Sequence, residues 1–499
     1  MKHLFPLSMK LWLLSAVFTI TLSLTESVMV CYYGSWAVYR HGQGKFDVED
    51  IDPGICTHII FGFAGLSTET FEIKVLDPYN ELCDNWGKCG YNRFTGLKQK
   101  NANLKALLAV GGWNEGSRSY SKMAADPAKR KAFIDSSISL LKEHHFDGLD
   151  MDWEYPTQRG GAPEDKANFV VLLRELKESL MAHGMILTAA VSAGKDTIDA
   201  AYDIPGMAQH LDLLNLMAYD MHGAWEPYTH HQSGLYAYPA DTGDNAYLNV
   251  DFAVNYWING GMPSSKIALG VPLYGRCWSL DSPVDHGYYA PANQPGRPGS
   301  FTNSPGFMGY NEICVKVERE GWIVGMVHGM QEPYTYHIPT GRIWCSYDNP
   351  SSVITKAEYA REHGLAGMMV WSIETDDFHG ACHSRPFHLT KTMEETFMGS
   401  ELTQPPTLPT EPITTHDPDR PTTPAPGTPA PDERCQTLGI NPDPDDCTHY
   451  WLCSLDGNGG YMVTEQHCPP GTLFNPLAKI CDWPESVCSL GTHYCPRNC

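Results

Sequence analysis

The chain has 499 residues and a formal net charge of −23, with 58 acidic against 35 basic side chains. That balance argues against nucleic acid and against an anionic membrane surface as partners, since both would repel it. The length allows one large domain and at least one small one, and a neutral substrate suits the charge.

The N-terminus carries Lys2 and Lys10, then an apolar run from Leu11 to Leu24, then Thr25 and Ser27. An apolar run of about 14 residues falls short of the ~20 that a spanning helix needs. Residues 1–27 therefore read as a secretory signal, with a signal anchor as the alternative. The expected location is extracellular, with no membrane association after cleavage. Sixteen cysteines in an exported chain point to disulfides; eight lie between Cys31 and Cys382 and eight between Cys435 and Cys499. N-linked glycosylation is not expected, because Pro350 spoils the one Asn-x-Ser triplet, at Asn349.

Eight apolar runs follow: Val28–Gly34, His58–Leu66, Leu104–Gly112, Phe146–Glu154, Ile186–Ser192, Leu211–Asp220, Ile267–Gly275 and Gly364–Ile373. Near-continuous apolarity predicts strands buried on both faces, and helical patterns such as Pro127–His145 and Glu164–His183 separate them. Residues 28–398 thus predict an α/β fold, a TIM (β/α)8 barrel, with a doubly wound sheet as the alternative. The interval of about 278–344 predicts a small α+β insertion before the last strand. Glu154, Asp220, Tyr274 with Arg276, and Trp371 fall at C-terminal strand ends, where barrels place their chemistry. Residues 399–433 are rich in Pro and Thr and poor in large apolar groups, which predicts an extended, O-glycosylated spacer.

Residues 146–156, FDGLDMDWEYP, interleave Asp147, Asp150, Asp152 and Glu154 with Phe146, Leu149, Met151 and Trp153. On a strand, Asp150, Asp152 and Glu154 share one face, while Asp147 takes the other and reads as a capping or barrel-closing residue. Like charges in a row require a shared proton or a raised pKa, which points to acid catalysis. A solvent-facing acidic edge strand and a cation site are the rival readings, and no calcium-loop spacing supports the second. The pairs His144-His145 and His230-His231 read as ordinary, and no HExxH spacing exists, so neither metal nor cofactor is expected.

FDGLDMDWEYP matches the DGxDxDxE signature of the family 18 glycoside hydrolases, the chitinases. LLAVGGWN (107–114), MAYDMHGAWE (217–226), GVPLYGR (270–276), GMMVWSIETDD (367–377) and CYYGSWAVYR (31–40) resemble further strand motifs of that family, although Ala109 stands where serine is common. The resemblance spans about 28–390 and implies a secreted, endo-acting chitinase that cleaves β-1,4 links in N-acetylglucosamine polymers. It implies a retaining, substrate-assisted route through an oxazolinium ion, so that no second protein carboxylate is needed as nucleophile. Glu154 would be the acid and then the base, Asp152 would orient the acetamide, and Asp150 would share a proton with Asp152. Tyr219 would donate to the acetamide oxygen, Asp220 would support the −1 sugar, and Trp371 would floor it. Tyr32, Phe63, Gly111, Gly112, Trp113, Asn114, Tyr155, Met217, Ala218, Tyr274 and Arg276 match cleft positions. The resemblance also pairs Cys31 with Cys56 and Cys314 with Cys382, leaving Cys83, Cys89, Cys277 and Cys345 for two further bridges.

Cys435, Cys447, Cys453, Cys468, Cys481 and Cys488, with CTHYWLC, PPGTLFNP and ICDWP between them, resemble a peritrophin-A type chitin-binding module at 434–490. The resemblance implies the bridges Cys435–Cys453, Cys447–Cys488 and Cys468–Cys481; the spacing alone permits 15 pairings. Tyr450, Trp451, Tyr461 and Trp483 are the candidate sugar-stacking rings. A zinc knuckle is the rival reading, against which stands the lack of CxxC pairs. Cys495 and Cys499 fall in a tail, 491–499. Expected partners are chitin and its oligomers, bound by a monomer. A silent chitinase-like lectin and a structural chitin-binding protein are the other functional readings, and the complete set of acids argues against both.

Overall fold

The computed structural model describes residues 27–399 and, further on, 439–442, 446–455, 461–468, 473–475, 480–482 and 484–488. The expected signal segment, spacer and tail lie outside the described residues, apart from Ser27 and Gly399. The chain divides into two compact units, 1–406 and 407–499.

In the first unit eight strands run parallel: β1 (Val28–Gly34), β2 (His58–Leu66), β3 (Lys105–Gly111), β4 (Gly148–Asp152), β5 (Ile186–Ser192), β6 (Leu213–Met217), β7 (Ile267–Pro272) and β8 (Gly367–Trp371). Each pairs with the next in sequence, and β1 pairs with both β2 and β8, which closes the barrel. Alternation along each strand sorts the side chains. Val30, Tyr32, Ile60, Leu107, Ala109, Ala190, Ala268 and Met369 fill the interior. Met29, Tyr33, Leu108, Val110, Met151 and Leu187 face the surrounding helices. With both faces buried, the strands show in sequence as unbroken apolar runs.

Helices fill the crossovers, each with a visible start. Asp126 caps Pro127–Glu143 by accepting from the amides of Ala128 and Lys129, and Pro127 fits the first turn, where no amide partner is required. Asn349 and Ser352 cap Pro350–Glu362 reciprocally.

The excursion between β7 and β8 is wider than the interval 278–344. Along the chain its antiparallel sheet starts with Tyr274–Ser279 and finishes with Ile343–Ser346; in space these two strands are neighbours, followed by Glu332–His337 and then Ile323–Val327, and the excursion carries the helix Tyr310–Arg319. The run Ile267–Gly275 therefore holds two strands, parted at Leu273, because apolarity does not register a change of direction. Cys277 faces Cys345 across adjacent strands and is bonded to it. Cys31–Cys56, Cys314–Cys382 and Cys83–Cys89 are also bonded.

The second unit has a three-stranded antiparallel sheet (Gly439–Pro442, His449–Leu455, Tyr461–His467), a two-stranded one (Leu473–Asn475, Ile480–Asp482) and the helix Pro484–Cys488. Cys447, Leu473 and Val487 form a small core, against which Cys488 packs. Cys447, Cys468 and Cys488 are disulfide-bonded. Cys435 and Trp483 lie outside the described residues, as do the side chains of Cys453, Cys481 and Tyr461. Tyr450 stacks on Phe474 with ring centroids 4.8 Å apart, so one of its faces is already covered, and Trp451 is half-buried.

Among the described residues no helix is long and apolar enough to cross a membrane.

Candidate active site

Strand β4 ends at Asp152, two residues short of Glu154, which corrects the expectation of three acids on one strand. Asp150 and Asp152 point into the barrel while Met151 and Trp153 pack outward, and Glu154 stands on the turn that follows. The Trp153 indole donates to Ser117 Oγ at 3.0 Å, and Ser117 Oγ donates to the Tyr155 carbonyl at 2.7 Å, fixing that turn. Asp147 faces away: its carboxylate accepts from the Ala106 amide at 2.8 Å and from Lys98 at 2.9 Å, tying β3 to the start of β4.

Asp150 is fully buried and accepts three hydrogen bonds, from Tyr32 Oη at 2.7 Å, Thr188 Oγ1 at 2.5 Å and Asn215 Nδ2 at 3.2 Å. Burial pushes its pKa up to about 6 against the pull of those donors. Asp152 has no such support. Burial first, then the charges of Glu154 and Asp150, hold its pKa well above the usual carboxylate range. Its Oδ1 is buried without a hydrogen-bond partner. A carboxylate that accepts three donors keeps its charge more readily than one that accepts none, so the anion is better supported at Asp150 than at Asp152. Burial also lifts Glu154 to about 7, opposed by its hydrogen bond with Tyr155 and by the Arg159 cation.

The close approach of β3 to β4 depends on glycine. Gly111 has φ +119°, and a Cβ there would lie 2.1 Å from the Asp152 carbonyl oxygen. The next amide, of Gly112, donates to that same carbonyl at 2.8 Å.

Around the acids stand rings. Trp371, at the end of β8, lies 5.6 Å from Phe63, 5.5 Å from Tyr32 and 6.1 Å from Trp36, centroid to centroid. Tyr219 is partly buried, and among the described residues its hydroxyl meets Met369 Sδ at 3.9 Å. Asp220 is gripped by Arg276 through two bonds of 2.7 and 2.5 Å and by Tyr274 Oη at 2.6 Å. Trp113 is 60% exposed, with the Arg159 guanidinium 3.6 Å from its ring centroid, and Arg159 also donates to the Glu154 carbonyl at 2.9 Å. Asn114 is exposed beside it. Met217 ends β6, and the Ala218 carbonyl accepts from Ser233 Oγ at 2.7 Å.

Several residues escaped the sequence reading. Thr188 and Asn215 hold Asp150, and each is a polar residue inside an apolar strand, a signal that was available. Trp36 lies within a motif already noted, and Arg159 is in a loop with nothing to mark it. His230 and His231 are not ordinary: both are fully buried, with His222 stacked on His230 at 3.9 Å. Donor atoms of His230, His231 and Asp241 lie within 4.8 Å of one another. Both nitrogens of His230 are committed, Nε2 to Asp241 at 2.9 Å and Nδ1 to the His231 amide at 3.0 Å, whereas Nε2 of His222 and Nε2 of His231 are buried without a hydrogen-bond partner among the described residues.

Residues 28–376 match the family described as Glycosyl hydrolases family 18, and residues 435–488 match the Chitin binding Peritrophin-A domain. Chitotriosidase-1 of Mus musculus is 37% identical over 470 residues, covering 91% of this chain and 95% of the relative. The crystal structure of the Ostrinia furnacalis Group IV chitinase in complex with allosamidin is 41% identical, with a TM-score of 0.71, and covers 75% of this chain and 99% of that one. Human YKL-39, described as a pseudo-chitinase with retained chitooligosaccharide binding, is 36% identical, with a TM-score of 0.68, covering 75% of this chain and all of that one. On the span of that family match and the closed barrel beneath it, the chain belongs to family 18 of the glycosyl hydrolases.

Proposed function

We propose that the chain is a secreted chitinase, hydrolysing β-1,4 links between N-acetylglucosamine units by an endo-acting, retaining, substrate-assisted route. The observation that carries this reading is the unpartnered, buried Oδ1 of Asp152, whose carboxyl feels the charge of Glu154, in a barrel mouth where Trp371 packs on Tyr32. A buried acceptor without a donor is costly, and a sugar acetamide N–H would supply the missing bond.

The acetamide carbonyl oxygen attacks the anomeric carbon of its own ring as the bond from that carbon to the bridging oxygen breaks. Glu154, protonated at and below about pH 7, gives its proton to the leaving oxygen. The cyclic cation carries its positive charge toward Asp152 and the anionic Asp150 behind it. Tyr219 donates to the acetamide oxygen and holds it in line. Water then enters from the face the leaving group vacated, yields a proton to Glu154 and restores the original configuration. Asp220, held by Arg276 and Tyr274, borders the same sugar. Export is supported by the N-terminal segment and the disulfides. The second unit fits a chitin anchor, which raises the local concentration of polymer at the cleft.

Turnover of a fluorogenic N-acetylglucosamine oligomer tests the reading. Glu154→Gln is expected to lower kcat by about 10²–10⁴-fold. Equal rates for the two proteins would leave only sugar binding, as in YKL-39, and would overturn the proposal.

A further inference from the structure

The Cys83–Cys89 loop, CDNWGKC, holds up the most exposed large apolar residue described in the chain: Trp86 is 95% exposed. The loop is not slack. The amide of Lys88 donates to the Tyr79 carbonyl at 2.8 Å, that of Cys89 to Leu82 at 2.9 Å and that of Gly87 to Asp84 at 2.9 Å. Trp86 itself sits at φ +65°, a backbone region that bulky residues seldom occupy. The ring is thus held outward by covalent and hydrogen-bonded restraint.

Two more half-exposed rings flank Lys88 of the same loop. Tyr79 is 55% and Tyr39 51% exposed, and the Lys88 ammonium lies 5.5 Å from the first ring centroid and 5.0 Å from the second. Tyr39 Oη donates to Asp77 at 2.6 Å. Rings rimmed by Lys88, Asp77 and the exposed Asp84 match a ligand that offers C–H faces and neutral hydroxyls, and present no cluster of cations to an anionic one.

The patch is continuous with the cleft. Tyr39 and Trp36 are three residues apart in the 3-10 helix Ser35–Tyr39, a spacing at which side chains eclipse one another. Trp36, 43% exposed, lies 6.1 Å from Trp371. Aromatic surface therefore leads from Trp371 at the end of β8, through Trp36 and Tyr39, to Tyr79 and the disulfide loop.

We propose that Tyr39, Tyr79 and Trp86 form a docking platform for solid chitin, on which a chain of the polymer surface rests before its end or loop enters the cleft. The proposal rests on the chitinase reading. It is tested in the full-length protein with Trp86→Ala and with the double variant Tyr79→Ala/Trp86→Ala. Hydrolysis of insoluble chitin is compared with turnover of a soluble fluorogenic trimer, and sedimentation velocity is run alongside. The expected result is a loss of about threefold or more on the solid, trimer kcat/KM within about twofold of wild type, and unchanged sedimentation. Intact hydrolysis of the solid, or equal loss on both substrates, overturns the platform. So does a wild-type dimer that the substitutions dissociate, which would make the patch a contact between copies. A wild-type protein that does not turn over the trimer defeats the chitinase reading itself, and the platform with it.

Discussion

Two groups of buried acids in the barrel unit are treated differently. Asp348 is fully buried and bonded at 2.6 Å to Lys356, equally buried, whose ammonium also donates to Ser233 Oγ at 2.9 Å. Nearby Glu332 accepts from the Ser233 amide and from Ser346 Oγ, each at 3.0 Å, and burial pushes it up to about 8. Among the described residues no lysine or arginine bonds to the carboxyl group of Asp150, Asp152 or Glu154. A network that holds loop to strand can neutralise itself with a cation. A site that must move a proton keeps its acids without a bonded cation; burial raises Asp150, Asp152 and Glu154 as it raises Glu332, but only beside Glu332 does a buried ammonium stand to pull the value back.

Asp152→Asn strikes the uncompensated group hardest. A kcat loss of 10²-fold or more on soluble oligomer is expected, with oligosaccharide affinity nearly intact, since the side chain keeps its shape; titration calorimetry beside steady-state kinetics separates the two. An unchanged kcat would show that the acetamide is oriented by something else.

Lys356→Met strikes the compensated cluster instead, stranding Asp348. A cost of about 3–5 kcal/mol is expected in denaturant unfolding with disulfides intact. The double variant Lys356→Met/Asp348→Leu should recover most of it, because the buried charge goes with its partner. Failure to recover would mean that Lys356 acts mainly through Ser233, whose hydroxyl supports the Ala218 carbonyl beside Tyr219.

Smaller effects are read in pH profiles. The acid form of Glu154 is required and its pKa is about 7, so kcat/KM should fall above about pH 7. Asp150, at about 6, loses its charge below that value, which sets the acidic limb. Thr188→Val removes a donor that favours the Asp150 anion, so the acidic limb should move up. A bond to a charged group is worth about 1.5 kcal/mol, equivalent to about one pH unit. Arg159→Gln removes a cation that favours the Glu154 anion. The basic limb should therefore move to higher pH, by a fraction of a unit, and a downward move would reverse the assigned sign.

Much of this was legible in the chain. The runs Val28–Gly34, His58–Leu66 and Ile186–Ser192 coincide with β1, β2 and β5 end to end, because a strand buried on both faces is apolar throughout. The alternation of Asp150 with Met151 and of Asp152 with Trp153 assigned inward and outward faces correctly, but extending it to Glu154 ran past the end of the strand. The insertion's true start was hidden for the reason already given at Leu273. The cluster around Glu332 could not be read at all: Ser233, Glu332, Ser346 and Lys356 come from four separate segments, and no local period connects them. Thr188 and Asn215 could have been found, since a polar side chain inside an apolar strand must meet a partner.

The absent side chain at position 111 has a consequence for comparing this barrel with silent relatives. Any methyl placed there would collide with the peptide that carries Asp152, prising apart two neighbouring strands and displacing an acid that the substitution never touched. A descendant could therefore go inert with every carboxylate still written in its sequence. Whoever sorts working copies from decoys should inspect that glycine as closely as the glutamate.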